Sequence, residues 1–403
     1  MNILLVHNTY QVPGGEDEVH RRERALLLSR GHRIAEYVRG NDEITRYRWW
    51  QKATLPARTV WAWDSYDGIR RLLKRSKWCV AHFHNTFPLV SPAAYYACRE
   101  LGVPVVQSLD NSRLFCPGAT CLRRSRACQD CLHKNIPWPG VLHACYRQSR
   151  IQSGVVAAML VLHRCLRSWQ RSVDCYLVAT EFYRRKFVEA GLPAEKLVVR
   201  PLFVSDHGVS KDLGSYALYV GRLATEKGVD TLLDAWTGLR HIPLMVRGDG
   251  PLSRKVHRHA SESGGSIQIL PRLERDKLVG LMQGARFLVW PSEGYYETFG
   301  YVAAEAFSCG VPVLASRTGV MEEMVEDERT GLHFTPGDAG DLAAKVEWAW
   351  THPEEMAAMG RAARAEYEAK YTPERNYSAL MEAYQRAIDK GGSPKEQSGV
   401  RPS

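Results

Sequence analysis

Two glutamates lie on either side of a predicted helix start in the stretch "PSEGYYETFGYVAAEAFSCG". The apolar pattern predicts a helix from about Phe299 to Phe307, with a loop before it and Gly310 as the stop signal. Glu297 lies in the loop, and Glu305 lies within the helix. A carboxylate is thus available at each end of this helical segment to bind hydroxyl groups.

The start of this helix is a candidate site for a phosphate group. The first backbone amides of a helix have no partner within the helix, and the helix dipole adds positive potential there. The amides concerned are those of Phe299, Gly300 and Tyr301. A nucleotide-diphospho-sugar fits this layout, with its diphosphate on the amides and its sugar and ribose on the two glutamates. The simpler alternative is one carboxylate that caps the helix and one at the surface.

A second stretch, "YALYVGRLATEKGVDTLLDAW", places Arg222 and Lys227 in a loop between a predicted strand and a predicted helix. An arginine and a lysine there can neutralise a departing diphosphate without a metal ion. The sequence contains no Asp-x-Asp, the usual carboxylate pair that holds a metal-bound sugar nucleotide. Taken alone, two basic residues in a loop are more often simply solvated.

A glycine pair, Gly14 and Gly15, follows the first predicted strand and precedes a predicted helix. Glycines at such a position let a ligand approach the backbone closely. A glycine pair is a weak signal by itself, and an ordinary turn is the alternative.

Apolar runs alternate with amphipathic segments, which predicts parallel sheets covered by helices on both faces. The predicted strands are Ile3–His7, Ile34–Arg39, Val80–His84, Val103–Ser108, Cys175–Ala179, Tyr216–Val220, Leu244–Arg247, Ile267–Leu270, Phe287–Trp290 and Val313–Ser316. The periodicity lapses in "RPLFVSDHGVSKDLGSYA". We therefore expect an α/β fold of two doubly wound, Rossmann-like domains, residues 1–205 and 212–370, facing an interdomain cleft that holds the ligand. Residues 389–403 have the composition of a disordered tail.

The motifs "GRLATEKG", "ETFGYVAAE", "CGVPVLASRTG" and the first-strand "PGG" together resemble those of the family 4 glycosyltransferases. The resemblance covers nearly the whole chain. It implies the GT-B fold and a retaining sugar transfer that needs no metal ion for catalysis. It also implies that residues 371–388 form a helix that packs back on the first domain.

The resemblance assigns roles to the residues named above. It implies that Arg222 and Lys227 hold the donor diphosphate, together with the amides at the helix start. Glu305 would bind the ribose, and Glu297 would bind and orient the donor sugar as a catalytic residue. The glycine pair would lie beneath the reaction centre.

The chain departs from the family pattern at Asp110, which follows the strand in "VPVVQSLDNSRLFCPG". The family has a histidine there that approaches the donor sugar, whereas an ionised aspartate can only accept hydrogen bonds. Asp110 is therefore either a catalytic residue suited to a different sugar or acceptor, or a sign of reduced activity. His84 could compensate from the neighbouring strand, or be purely structural.

Five cysteines cluster in a loop-rich insertion in the first domain, at about residues 111–150. Cys128 and Cys131 have the Cys-x2-Cys spacing of a zinc knuckle, and Cys116 and Cys145 complete a candidate structural zinc site. A disulfide pair and a set of reduced thiols are the alternatives. Cys121 is the spare cysteine in the zinc interpretation.

The basic charge is concentrated in the first half of the chain. Residues 1–200 contain 31 Lys and Arg against 16 Asp and Glu, and the remaining residues contain 23 against 28. Basic residues accompany apolar ones in "RYRWWQK", "IRRLLKRSKW" and "VVAAMLVLHRCLRSWQR", which favours shallow contact with an anionic membrane. The alternative is amphipathic helices that pack on the sheet with their basic groups outside.

We see no nucleic-acid-binding motif, and the amino-terminal stretch "MNILLVHN" is typical of a buried strand rather than a signal peptide. We therefore expect a cytoplasmic protein, peripheral on the inner face of the cell membrane.

The predicted function is transfer of a sugar from a UDP- or GDP-type donor to a glycan or lipid-linked acceptor in cell-surface polysaccharide synthesis. No cofactor is expected for catalysis. A catalytically weak sugar-nucleotide-binding subunit that supports a partner transferase is the non-enzymatic alternative. A sugar-nucleotide epimerase of the same fold is a third interpretation, against which the paired glutamates and the Arg222/Lys227 motif argue.

Overall fold

The computed structural model describes residues 1–12, 14–209, 214–293 and 297–392. Within them the first half of the chain contains β1 (Asn2–Thr9), α1 (Gly15–Ser29), β2 (Arg33–Gly40), α2 (Trp49–Val60), α3 (Trp63–Leu73), β3 (Val80–Phe83), α4 (Ala93–Glu100), β4 (Val105–Ser108), β5 (Leu122–Arg123), β6 (Arg126–Ala127), α5 (Trp138–Leu142), α6 (Arg150–Cys165), α7 (Ser168–Ser172), β7 (Cys175–Val178), α8 (Glu181–Glu189) and β8 (Leu197–Val199).

The second half contains β9 (Tyr216–Val220), α9 (Val229–Trp236), β10 (Leu244–Arg247), α10 (Ser253–Glu262), β11 (Ile267–Leu270), α11 (Arg275–Gln283), β12 (Ala285–Trp290), α12 (Tyr301–Ser308), β13 (Val313–Ser316), α13 (Gly319–Met324), β14 (Gly331–Phe334), α14 (Ala339–Thr351), α15 (Pro353–Lys370) and α16 (Pro373–Gly392). Short 3-10 helices cover Asn41–Arg46, Ala194–Lys196 and Thr225–Lys227.

Each half forms one parallel sheet, and each sheet contains a point at which the strand order reverses. The order is β2-β1-β3-β4-β7-β8 in the first sheet and β11-β10-β9-β12-β13-β14 in the second. Ligands of doubly wound sheets bind at the carboxyl ends of the strands beside such a reversal. These points lie between β1 and β3 and between β9 and β12.

The predicted strands all appear, and the sequence analysis missed β8 and β14. β8 has three residues and β14 has four, and both lie at a sheet edge. Such short runs give too little periodicity to be distinguished from loop sequence. The hairpin of β5 and β6 belongs to the cysteine-rich insertion and pairs with neither sheet.

The last helix of the chain covers one face of the first sheet. Side chains along β1 alternate between the faces, and Ile3 and Leu5 pack with Leu380 and Tyr384 of α16. Because α16 follows α15 of the second half, this packing joins the segment after the second domain to the first domain. Residues 389–392 belong to α16, so they are not part of a disordered tail as predicted, and residues 393–403 lie outside the described residues.

A buried charge network lies between α1, the first sheet and α16. The carboxylate of Glu23 is 2.7 Å from the Arg200 guanidinium and 2.8 Å from Nδ1 of His82, and all three side chains are buried. Arg200 also donates to Oδ1 of Asn376 (2.9 Å), and Nε2 of His82 lies 2.9 Å from the Ser108 hydroxyl. The network therefore connects α1, two strands, the segment after β8 and the carboxyl-terminal helix.

None of the helices in the described part of the chain has the length and apolarity needed to cross a lipid bilayer.

Candidate active site

The glycine pair forms the amino-terminal end of α1, at the carboxyl end of β1. Gly14 is the N-cap residue, and its amide donates to Oδ2 of Asp17 (2.9 Å), whose Oδ1 lies 2.8 Å from Nε2 of His7. A methyl group built on Gly14 would have Tyr10 at 3.8 Å as its neighbour, and one on Gly15 would meet no atom of the described residues within 4 Å. The packing of the fold therefore does not require these glycines, and the space before them is open to a ligand.

Two of the predicted donor residues are in direct contact. Lys227 ends the 3-10 helix after β9, and its amine forms an ion pair with Glu297 in the loop after β12. The hydroxyl of Ser292 donates to the same carboxylate (3.2 Å). The two loops meet because β9 and β12 are adjacent in the sheet. The pair is mostly shielded, with 25% of the Lys227 side chain and 14% of the Glu297 side chain exposed.

Arg222 lies nearby in sequence but faces a different space. Its side chain is 64% exposed, and Nη1 is 3.7 Å from a carboxylate oxygen of Glu226. It lines a cavity of about 820 Å³ at the carboxyl ends of β9, β10 and β11, together with Arg247, His257 and Arg272. Ligand sites typically have volumes of about 300–1,000 Å³. The sequence did not indicate this cavity, because it forms only where the loops after β9, β10 and β11 come together at one edge of the folded sheet.

Helix α12 begins at Tyr301, two residues later than predicted, because Gly300 has non-helical backbone angles (φ −104°, ψ 71°). A Cβ atom on Gly300 would lie 2.1 Å from the ring of Trp290, so a larger residue does not fit there. Phe299 is buried just before the cap. The helix ends before Gly310, which has φ 71°. The amides of Gly300 and Tyr301 therefore lie at the helix start, whereas that of Phe299 precedes it.

Arg22 of α1 contacts α12 across the two domains. Its guanidinium lies over the Tyr301 ring, 4.9 Å from the centroid, and its Nη2 is 4.0 Å from Oε1 of Glu305. A second contact lies between α13 and α8, where Glu323 accepts hydrogen bonds from the amides of Glu181 (2.7 Å) and Phe182 (2.6 Å). The open backbone at the start of α1 and the amino-terminal half of α12 thus belong to one interdomain region. Sequence reasoning missed Arg22 because its role depends on the tertiary packing.

Asp110 lies two residues after β4. Its side chain is largely shielded from solvent and lies close to His84. Its Oδ2 is 3.7 Å from Nδ1 of His84, whose Nε2 is 3.3 Å from Oε1 of Glu23. Burial lowers the pKa of His84, but the carboxylates of Glu23 and Asp110 outweigh that effect and raise it to about 9. His84 is therefore an imidazolium at neutral pH, and it balances the negative charge of Asp110.

The residues Glu23, His82 and His84 form the one group in the described part of the chain whose metal-binding atoms lie within 4.8 Å of one another. Arg200 contacts Glu23 at 2.7 Å and supplies the positive charge that a metal ion would bring. Burial raises the pKa of Glu23, but Arg200 and the histidines more than offset this and hold it well below its usual value. We therefore assign this group as an ion-pair network.

Glu16 is a further carboxylate of this region that the sequence analysis missed. It accepts hydrogen bonds from the side-chain amide of Asn111 (2.8 Å) and the hydroxyl of Tyr10 (3.0 Å). Removal from water, followed by the charge of Asp110, raises the pKa of Glu16 from 4.5 to about 7. Two carboxyl groups from different elements thus lie near the open end of α1.

The sequence of the second domain matches a known family. Residues 208–366 match the model "Glycosyl transferases group 1". The D-rhamnosyltransferase WbpZ of Pseudomonas aeruginosa is 30% identical over 159 residues, which are 39% of this chain and 42% of that protein. The O-antigen chain mannosyltransferase C of Escherichia coli is 25% identical over 232 residues, 54% of this chain and 62% of that protein. The chain spans about half the length of these curated relatives.

A solved structure with the same architecture confirms the predicted fold. Anabaena HepE in complex with UDP superposes with a TM-score of 0.66 at 16% identity, over 96% of this chain and 100% of that chain. The chain therefore has the GT-B fold of two Rossmann-like domains. The family match covers the domain that contains Arg222, Lys227, Glu297 and Glu305.

The raised pKa of Glu16 predicts that Glu16→Gln changes the pH dependence of stability. In the unfolded chain Glu16 loses its proton near pH 4.5, whereas the folded protein retains it up to about pH 7. The stability contributed by the protonated group is therefore complete below pH 4.5 and is lost as the pH rises through about 7. In urea unfolding, the free energy of unfolding of Glu16→Gln should match that of the wild type at pH 4 and exceed it at pH 8. If the two proteins differed by the same free energy of unfolding at both pH values, the raised pKa of Glu16 would be contradicted.

Proposed function

We propose that the protein is a retaining glycosyltransferase that moves a sugar from a nucleotide-diphospho-sugar to a glycan or lipid-linked acceptor in cell-surface polysaccharide synthesis. The main support is the Lys227–Glu297 pair beside the start of α12, within the domain that matches the group 1 glycosyltransferases. A cation, a carboxylate and the amides at a helix start together suit a ligand that has both a diphosphate and hydroxyl groups.

In the proposed donor complex, the diphosphate lies on the amides of Gly300 and Tyr301 and contacts Lys227 and Arg222. Glu305 binds the ribose. The nucleoside base enters the cavity of about 820 Å³ that Arg222 lines. The donor phosphate competes with Glu297 for the Lys227 amine, which leaves the carboxylate to bind hydroxyls of the donor sugar.

The proposed reaction needs no protein-bound metal. The bond between the anomeric carbon and the diphosphate oxygen breaks, and its electron pair stays on the diphosphate. Lys227, Arg222 and the helix amides stabilise the charge that develops there. The departing oxygen takes the proton of the acceptor hydroxyl, whose oxygen bonds to the anomeric carbon on the same face. The configuration of the sugar is therefore retained.

The pairing of Asp110 with His84 favours an active enzyme over a catalytically weak binding subunit. An unbalanced carboxylate would repel the diphosphate, but the neighbouring imidazolium offsets that charge. Asp110 can then accept a hydrogen bond from a hydroxyl of the donor sugar or the acceptor. We propose this as the role that replaces the histidine of the resembled family.

The names of the relatives support the same substrate class. WbpZ is a rhamnosyltransferase, the Escherichia coli relative is an O-antigen mannosyltransferase, and the HepE structure contains UDP. We therefore propose a UDP- or GDP-type donor and an acceptor that belongs to a surface polysaccharide. A panel of both donor types, with products identified by mass spectrometry, distinguishes them.

We further propose that the first domain lies on the anionic inner face of the cell membrane, in the cytoplasm. Helix α6 packs against both α2 and α5, and exposed apolar residues on or next to these helices are Trp49, Trp50, Ile136, Trp138, Leu142 and Ile151. Exposed basic residues accompany them: Arg48, Lys52, Arg147 and Arg150. Apolar and basic groups together suit an anionic lipid surface. The stretch "IRRLLKRSKW" differs, because its apolar residues Ile69 and Leu73 in α3 are buried in the core and do not face a membrane.

Replacement of the proposed donor cations should reduce turnover strongly. Lys227→Ala and Arg222→Ala should each lower kcat by about 100-fold or more, about 2.7–4 kcal/mol, as for loss of a preorganised charge-stabilising group. The measurement is the release of nucleoside diphosphate from the best donor of the panel.

Lys370→Ala is the matched control, because Lys370 is 54% exposed at the end of α15 and pairs with Glu366. It should retain the wild-type rate. Normal turnover in both cation variants would disprove the diphosphate assignment, and absence of transfer with every donor would disprove the function.

The membrane proposal predicts that Trp49→Ser/Trp50→Ser weakens vesicle binding by at least about tenfold, since burial of one large apolar side chain contributes about 1.5–3 kcal/mol. Sedimentation with vesicles that contain phosphatidylglycerol measures this, and wild-type binding should fall as salt increases. Leu28→Ser on α1, where Leu28 is 43% exposed, is the control and should bind normally. Equal binding of the wild type to neutral vesicles would contradict the proposal.

A further inference from the structure

The cysteines of the insertion line one small cavity. A cavity of about 20 Å³ is lined by residues that include Cys116, Cys121, Cys128, Cys131 and Cys145. A single water molecule needs about 10–15 Å³ by the same measure, so the cavity holds one atom-sized guest. All five are free thiols. Residues up to 29 positions apart in sequence thus converge on a space for one ion.

Backbone contacts bring the segments together. The hairpin of β5 and β6 returns the chain so that the amide of Cys128 donates to the carbonyl of Cys121 (2.7 Å). A Cβ atom on Gly118 would lie 3.2 Å from the carbonyl oxygen of Cys145 and 3.8 Å from the Cys116 sulfur. The loop after Cys116 therefore packs directly on the turn at Cys145. None of the residues in these contacts belongs to the proposed donor site.

The backbone of the insertion is strained. Of ten non-glycine residues with positive φ in the described part of the chain, seven lie in this region: Ala119, Cys121, Arg124, Ser125, Ala144, Arg147 and Gln148. Such conformations are unfavourable for residues with a side chain and persist where surrounding structure fixes them. The regular structure here consists of two-residue strands and one five-residue helix. A further cross-link would account for the stability of this segment.

We propose that Cys116, Cys128, Cys131 and Cys145 bind one structural zinc ion in the cavity. Four thiolates in a closed tetrahedral arrangement suit zinc, and each thiol releases its proton on binding, with no oxidation. In the described residues no three of these sulfur atoms lie within 4.8 Å of one another. Zinc binding would therefore require the cysteine side chains to move closer together. Cys121 is close enough to donate a hydrogen bond to the Cys116 sulfur and is the positioning residue.

The zinc site would fix the position of the insertion, whose first residues contact the interdomain region. Asn111, at the start of the insertion, donates to Glu16, and the Arg113 guanidinium lies 4.2 Å from the centre of the Phe87 ring and 5.2 Å from that of Tyr146. Loss of the metal would loosen these contacts without touching the donor-binding domain. The proposal therefore does not depend on the proposed transfer reaction.

Metal content tests the proposal. Full-length protein purified without chelator should contain about one zinc per chain by elemental analysis. Cys128→Ser and Cys131→Ser should lose it, unfold at lower temperature and become sensitive to protease within the insertion. Cys165→Ser is the control, because Cys165 is exposed at the end of α6, and it should keep the full zinc content.

A second measurement serves if the variants fail to fold. Wild-type protein reconstituted with cobalt should show the sulfur-to-metal charge-transfer and intense visible bands of a tetrahedral thiolate site. Metal-free protein with a protease-resistant insertion would overturn the proposal. So would mass spectrometry that finds a disulfide among the four cysteines, or full zinc content in Cys128→Ser.

Discussion

The buried carboxylate of Glu23 is the interaction on which the arrangement of the first domain depends. Charges removed from water are stable only when they are paired and hydrogen-bonded, and removal of one partner typically costs about 3–5 kcal/mol. Glu23 is paired with Arg200 (2.7 Å) and lies 2.8 Å from His82, and these partners come from the segment after β8 and from β3. Through Asn376 and Tyr384, which contact Arg200 and His82, α16 joins the same network. The return of the chain from the second domain thus supplies hydrogen-bond partners to the two residues that pair with Glu23.

The same network reaches the proposed site through His84. Glu23 and Asp110 raise the pKa of this histidine, which lies 3.7 Å from the Asp110 carboxylate beside the amino-terminal end of α1. Arg22 of α1 contacts Tyr301 and Glu305 on α12. Charged side chains of both signs thus lie in the core of the first domain and at its contact with the second. A diphosphate-containing ligand complements this pattern, because its charge needs the cations of the second domain and its hydroxyls need the carboxylates.

Much of the fold could be predicted because strands buried on both faces appear as continuous apolar runs. β9, β10, β11 and β13 have the predicted bounds, whereas the short edge strands β8 and β14 gave no usable pattern. Local sequence supplied the candidate residues of the second domain. It misplaced the start of α12, since the constraint on Gly300 comes from the Trp290 ring of another element. Arg22 and Glu16 could not be found from sequence because their partners, Glu305 and Asn111, are distant along the chain.

The central claim is that the start of α12 and the loop after β9 bind the diphosphate of the donor. Amide hydrogen exchange with and without UDP or GDP, in a sample where calorimetry shows binding, tests this most directly. The account predicts slower exchange at residues 300–303 and 221–228, with little change in α14 and α15. Measured nucleotide binding with no protection at these segments, or with protection confined to the first domain, would contradict it.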